Sequence, residues 1–360
     1  MKKFLALLLL LIPVNVFAIS ASSAIAMDLD TGRILYGYNT NDQKLIASTT
    51  KIMTALIAIE QGNLEETIEV SDIIYEAYGS ALYIEVGEKL TLKDLLYGLM
   101  LRSGNDAALV IAEYISGGEE EFVYLMNEYA SNLNMTNTIF YNPHGLEENN
   151  GNANKSTTLD MAKLTKYAME NSVFREIFKT KKYTVKSNYK TYVWYNKNKL
   201  LSLDYITGGK TGYTELARRT LVSTGSKENI NIVVVTLNDP NDWADHKEIY
   251  EKIFNNYNSY NILNKDKFKV TSDREYYEDD KLFIKNDFNM TLTKKELKNV
   301  SLNINLMILN DYIDDTLVGY VEVKLNDDIY HKEPIYVLKN EVTDDNLNWW
   351  QKFRSWLFKW

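Results

Sequence analysis

Ser48 and Lys51 stand three residues apart at the front of an apolar, helix-like stretch, Ser48-Thr49-Thr50-Lys51. At that spacing both side chains project from one face of a helix, within reach of each other. A serine hydroxyl is a poor nucleophile until a base takes its proton, and a lysine amine supplies that base without histidine. The unpaired N–H groups of a helix start favour developing negative charge and disfavour a lysine ammonium; partial burial pushes the lysine the same way. Two further groups follow. Ser103-Gly104-Asn105 interrupts a second helical pattern; there Ser103 can relay a proton to a leaving amine and Asn105 can hold a substrate amide. Lys210-Thr211-Gly212 precedes a β-rich segment; there Lys210 and Thr211 can bind a carboxylate and Gly212 lets a substrate backbone approach closely. Taken singly, each has a bland reading: a capping serine beside a solvated lysine, a turn, and a glycine-rich loop.

Other chemistries are poorly served. The chain has no cysteine, which excludes thiolate catalysis, disulfides and cysteine metal sites. Its three histidines (His144, His246 and His331) are far apart and form no His-Glu-x-x-His pattern, so no metal and no cofactor is expected. The Gly-Lys-Thr run at 209–211 lacks the glycine spacing and following helix of a phosphate loop. A formal net charge of -9, with no basic stripe before the last residues, argues against a nucleic-acid partner.

The elements that must position these residues can be read from periodicity. Ala24 to Tyr38 reads as a hairpin turned by Asp28-Leu29-Asp30-Thr31-Gly32. Ile52, Leu56 and Ile59 recur at helical spacing over Ser48–Gln61, and Gly62 stops the run. Thr91 to Ile115 reads as two helices with a corner at Ser103-Gly104-Asn105-Asp106. A loop at Asn142–Gly145, a helix over Thr158–Met169, strands at Thr220–Thr224 and Asn231–Leu237, and a helix over Trp243–Tyr257 complete an α+β arrangement. Its terminal strands are expected to share one antiparallel sheet. Val300, Leu302, Ile304, Leu306 and Ile308 alternate with polar residues and predict one half-buried strand face. Val321, Val323 and Leu325, the turn Asn326-Asp327-Asp328 and Ile329–Leu338 continue a small β-rich unit.

The two ends have their own signatures. Lys2 and Lys3, an apolar run from Phe4 to Ile12 and Val16-Phe17-Ala18 follow the order of a secretory signal cleaved near Ala18. Trp349, Trp350, Phe353, Trp356, Leu357 and Trp360 share one helical face, with Lys352, Arg354 and Lys359 on the other. Such a helix suits a bilayer interface. The expected organisation is 1–18 signal peptide, 19–262 catalytic domain, 263–343 β-rich domain and 344–360 amphipathic membrane-associating helix.

The order and context of the three motifs resemble the penicillin-binding protein and serine β-lactamase superfamily. Ile46–Thr54, Leu99–Ala107, Asn142-Pro143-His144-Gly145-Leu146, Asp160-Met161-Ala162 and Lys210–Thr214 resemble the low-molecular-mass D-alanyl-D-alanine carboxypeptidases more closely still. The resemblance runs from about Ala24 to Leu237 and more faintly beyond. It implies a serine β-lactamase/transpeptidase-like catalytic domain, an antiparallel sheet with helices, followed by a β-rich domain and the amphipathic helix. It implies a substrate in peptidoglycan stem peptides, β-lactam antibiotics as inhibitors, and a place at the outer face of the cytoplasmic membrane.

The roles implied are these. Ser48 attacks the carbonyl between two D-alanines, Lys51 is its base, Ser103 shuttles the proton and Asn105 aligns the substrate. Lys210 and Thr211 bind the terminal carboxylate beside Gly212, and the N–H groups of Ser48 and Tyr213 form the oxyanion hole. The sequence departs from the family at Thr207-Gly208-Gly209, at Tyr213 where histidine is common, and at Lys155 before Ser156. His144 reads as a turn-stabilising residue. A class A β-lactamase is the nearest rival, with Glu147 and Glu148 the only glutamates in the region where its deacylating base would lie. A catalytically silent wall-binding protein is the rival from outside enzymes.

Overall fold

The computed structural model describes residues 19–270, 277, 280–309 and 311–339. The expected signal peptide and C-terminal amphipathic helix lie outside the described residues. Strands β1 (Ser23–Asp28) and β2 (Ile34–Tyr38) form the expected hairpin. After the two-residue β3 (Lys44–Leu45), a 3₁₀ turn at Ala47–Thr50 runs into α1 (Lys51–Gln61). Short strands β4 (Thr67–Glu69) and β5 (Lys89–Thr91) precede α2 (Leu92–Arg102), α3 (Asn105–Ser116) and α4 (Glu119–Asn132). Then come β6 (Lys155–Ser156), α5 (Thr158–Ala168), α6 (Ser172–Lys179) and the hairpin of β7 (Lys182–Lys186) and β8 (Thr191–Tyr195). Three long strands follow: β9 (Ile206–Thr214), β10 (Arg218–Lys227) and β11 (Ile230–Leu237), succeeded by α7 (Asp242–Asn256).

One antiparallel sheet, ordered β2-β1-β11-β10-β9, unites the two ends of this region. Both of its faces are covered, and the alternation of strand residues shows how. Ile25, Met27, Val233 and Val235 point into the core built by α1, α2, α3, α5 and α6. Ala24, Ala26, Ile232 and Val234 point into a second core against Ile249, Tyr250 and Ile253 of α7. Strand β9 is left at an edge, and there the sheet meets the 3₁₀ turn that carries Ser48.

The rest of the described chain is β-rich. Strand β12 (Asn258–Leu263) pairs with β14 (Phe288–Leu292), and β13 (Lys281–Ile284), β15 (Val300–Leu306), β16 (Thr316–Leu325) and β17 (Asp328–Leu338) form a sheet ordered β13-β17-β16-β15. The predicted inward face of β15 is only partly realised. Leu302 in the edge strand β15 is 47% exposed, and Ile308, which lies beyond the end of that strand, is 63% exposed.

Candidate active site

Ser48 lies in the 3₁₀ turn, three residues before α1 begins, instead of opening the helix as the periodicity suggested. The elbow is tight: Ala47 has φ +45°, the Thr49 N–H and hydroxyl both donate to Ile46 O, and Thr220 Oγ1 of β10 donates to the same carbonyl at 3.1 Å. Backbone strain held by surrounding bonds is the usual way to present a nucleophile. Lys51 is the first residue of α1 and is fully buried. Its Nζ lies 3.2 Å from Ser48 Oγ, 2.7 Å from Asn105 Oδ1 and 2.6 Å from His144 O. A neutral amine has two N–H donors and one lone pair. The carboxamide and carbonyl oxygens take the donors, and the lone pair is left for the Ser48 hydroxyl.

Electrostatics push the same way. Burial, then the charges of Lys210 and Lys197, hold Lys51 well below the usual lysine range, against a smaller opposite pull from Asp106. The burial expected from the sequence is the first cause; the neighbouring lysines, which the sequence did not reveal, add to it.

The corner between α2 and α3 places the second motif. Ser103 closes α2 in the left-handed region at φ +65°, and Asn105 opens α3. Ser103 Oγ receives Lys210 Nζ at 3.0 Å. Asn105 was expected to offer both its donor and its acceptor to substrate. Instead its Oδ1 holds Lys51 and its Nδ2 donates to Tyr78 O at 2.5 Å. One N–H and one lone pair remain for a ligand. The fold therefore uses Asn105 first to orient the base.

On β9, Lys210 points inward, almost fully buried, and also bonds Thr211 O at 2.7 Å. Burial and then Lys197 lower its pKa to about 7. Gly212 lies against the elbow: a β-carbon there would sit 3.0 Å from Ser48 N and collide with Thr220 Oγ1. The glycine thus lets β9 close on the nucleophile's own backbone, a different reason from the substrate approach expected.

Ser48, Ser103, Thr211, Gly212 and Tyr213 line one cleft of about 400 Å³. Lys210 lies behind this lining. The same cleft contains Ser80, Lys197, Lys199, Arg219 and Trp243, none of which the sequence reading singled out. Lys197 Nζ donates to Ser80 Oγ at 3.2 Å, and Arg219 binds Asp242 Oδ1 at 2.8 Å with its guanidinium over the Trp243 ring. The cleft is therefore cationic and suited to a carboxylate.

His144 behaves as a structural residue. Its Nδ1 accepts from Leu146 N at 3.1 Å, and burial followed by Lys51 lowers its pKa to about 3. Its Nε2 is 3.7 Å from Glu119, but a neutral imidazole makes no ion pair there. What the sequence could not show is that the His144 carbonyl, not its ring, serves the site.

Comparison with known proteins adds to this geometry. Residues 12–241 match the family model described as D-alanyl-D-alanine carboxypeptidase, and residues 257–343 match that of the penicillin-binding protein 5 C-terminal domain. The chain is 36% identical over 222 residues to D-alanyl-D-alanine carboxypeptidase DacF of Bacillus subtilis, covering 60% of this chain and 56% of that protein. It is 37% identical to a D-alanyl-D-alanine carboxypeptidase of Streptomyces, over 62% of this chain and 83% of the relative. The solved penicillin binding protein 5 of Haemophilus influenzae superimposes with a TM-score of 0.72 at 25% identity, covering 90% of this chain and 98% of the other.

Proposed function

Since this chain belongs to the D-alanyl-D-alanine carboxypeptidase family, and is by that membership a serine-type carboxypeptidase with a penicillin-binding fold, we propose that Ser48, Lys51 and Ser103 carry its chemistry. The observation that carries the assignment is the Lys51 amine, 3.2 Å from Ser48 Oγ with its other two contacts to acceptor oxygens.

In this reading Ser48 Oγ attacks the carbonyl carbon of the D-Ala–D-Ala bond of a peptidoglycan stem peptide while its proton passes to Lys51. The oxyanion forms beside the N–H groups of Ser48 and Tyr213, brought together by the approach of Gly212 to the elbow. The C–N bond then breaks, Ser103 relays a proton to the leaving amine, and free D-alanine departs. Water hydrolyses the acyl-serine. Asn105 aligns base and substrate. Thr211, on the cationic cleft wall with Arg219 and Lys197, receives the terminal carboxylate, while Lys210 acts from behind through Ser103. A β-lactam acylates Ser48 by the same route. Glu147 and Glu148, the candidate bases of a penicillin-hydrolysing enzyme, have their carboxylates engaged by the Thr214 hydroxyl and the Asn150 carboxamide, which argues against that rival.

Incubation with a peptide ending in Lys-D-Ala-D-Ala should release D-alanine, and Ser48→Ala should abolish both release and penicillin labelling. Wild-type protein that neither releases D-alanine nor labels would sink the reading in favour of a silent binding protein.

We also propose export and attachment at the outer face of the cytoplasmic membrane. The division into 1–18, 19–262, 263–343 and 344–360 is part of this proposal, with β12 as the strand that crosses from one body to the next. Among the described residues no helix is long and apolar enough to cross a membrane. The support is the N-terminal charge and apolar order and the tryptophan-rich C-terminal face. Liposome flotation should retain the full chain and lose a truncation before Trp349; equal flotation of the two would remove the anchor.

A further inference from the structure

One largely buried loop, residues 141–148, ties together several of the elements that build the site. Pro143 O receives Thr54 Oγ1 at 2.6 Å and His144 O receives Lys51 Nζ at 2.6 Å, fixing the loop to α1. Gly145, at φ +90°, lies against the Ala47 carbonyl with no room for a β-carbon. Two more contacts have no part in the chemistry proposed above. The Thr214 hydroxyl donates to the Glu147 carboxylate, and the Tyr78 hydroxyl donates to Glu147 O at 2.7 Å.

Both partners lead straight into the site. Thr214 follows Tyr213, and its Oγ1 also accepts Ala217 N–H at 3.0 Å, closing the turn between β9 and β10. Tyr78 O is the acceptor that holds Asn105 Nδ2. Because β9 is an edge strand, its ladder to β10 secures only one side of the end that carries Tyr213. Thr214 sits at that end, paired with Arg218, the first residue of β10, at φ +59°. A hydroxyl-to-carboxylate bond is charge-assisted and well suited to pin such an end.

We infer that Glu147 is a positioning residue for the acylation step: through Thr214 its carboxylate holds the Tyr213 N–H on the oxyanion, while its backbone carbonyl ties the loop to Tyr78 and so to Asn105. The inference rests on the carboxypeptidase reading. It gives Glu147 no proton to move.

The test is steady-state D-alanine release and penicillin acylation by the purified chain and by Glu147→Ala, Glu147→Gln and Thr214→Val. Misplacing a reacting group by a fraction of an ångström to one ångström costs up to about 100-fold, so Glu147→Ala should lower kcat by about 10- to 100-fold with KM within about threefold. Glu147→Gln keeps an acceptor oxygen for Thr214 and should recover to within about tenfold of wild type. Thr214→Val should match Glu147→Ala, and the double variant should be no worse than either single, as expected for two residues acting through one bond. Wild-type kcat in Glu147→Ala, or in Thr214→Val, would overturn the inference. So would Glu147→Gln as slow as Glu147→Ala, which would make the carboxylate a base on water. An inactive, unlabelled wild type removes the carboxypeptidase reading along with the inference, whereas an active wild type with an indifferent Glu147→Ala removes the inference alone.

Discussion

Lys51 on α1 and Lys210 on β9 are both pushed toward neutrality by burial, Lys210 to about 7. Their tasks differ. Lys51 must be neutral to take the Ser48 proton; Lys210 must be charged to favour an anion nearby. Activity therefore rises with pH as Lys51 loses its proton and falls as pH climbs past about 7, where Lys210 loses its own. The two limbs belong to the coupled pair. A profile of kcat/KM against pH should be bell-shaped, with a descending limb beginning near 7. In Lys210→Arg the guanidinium stays charged, so the descending limb should move up or vanish even if the maximum drops. An unshifted limb in that variant would assign it to another group. These lysines could be found in the sequence because each sits in a short motif with a hydroxyl residue, Ser48 for Lys51 and Thr211 for Lys210. Lys197, Ser80, Arg219 and Trp243 could not, since the contacts that bring them to the cleft join distant segments, as Lys197 to Ser80 and Arg219 to Asp242. The His144 carbonyl was still less visible, because a backbone acceptor 93 positions from its lysine leaves no side-chain signature.

Among the elements, legibility followed the strength of the apolar repeat. The β1–β2 hairpin, α1, the α2–α3 corner, α5, β10, β11 and α7 all carry clear periodicity and were readable. Helix α4 was not: only Phe122, Met126 and Ala130 are buried, a stripe one residue wide amid glutamate, asparagine and tyrosine. Helix α6 is eight residues long, too short for its pattern of Phe174, Ile177 and Phe178 to stand out. The β7–β8 hairpin mixes lysines with Tyr192 and Trp194, whose burial depends on α2 packing over them. The segment around residues 77–84 shows a further limit. It is held by Asp106, whose carboxylate accepts the N–H groups of Leu82 and Tyr83. Asp106 follows the Ser-Gly-Asn motif directly, yet nothing in its own neighbourhood reveals that it secures a loop 24 residues upstream.

For the molecule as a whole, the two ends of the main sheet have separate duties. Strand β9 at one edge faces the cleft, while the β1–β2 turn near the other edge holds the β-rich part. Arg33, nearly buried in that turn, donates to Glu296 at 2.6 Å and to Thr291 O at 2.7 Å, and lies over the Tyr257 ring. Partial burial raises the Glu296 pKa, but the Arg33 and Thr293 bonds outweigh it and leave the carboxyl below its usual range. A lowered carboxylate pKa contributes stability above the unfolded value of about 4.3 and loses it as pH falls through the folded value. The anchor is thus fully made at neutral pH. Three strand spacings, about 14 Å, separate β1 from β9, so loosening the anchor should not reach the chemistry. Arg33→Met is expected to raise the radius of gyration in small-angle scattering and to speed proteolysis just after α7. D-alanine release from a soluble peptide should stay within about twofold of wild type. Unchanged scattering and proteolysis would show that other contacts hold the β-rich part in place. A fall in release alongside them would mean that the β-rich part supports the catalytic sheet itself.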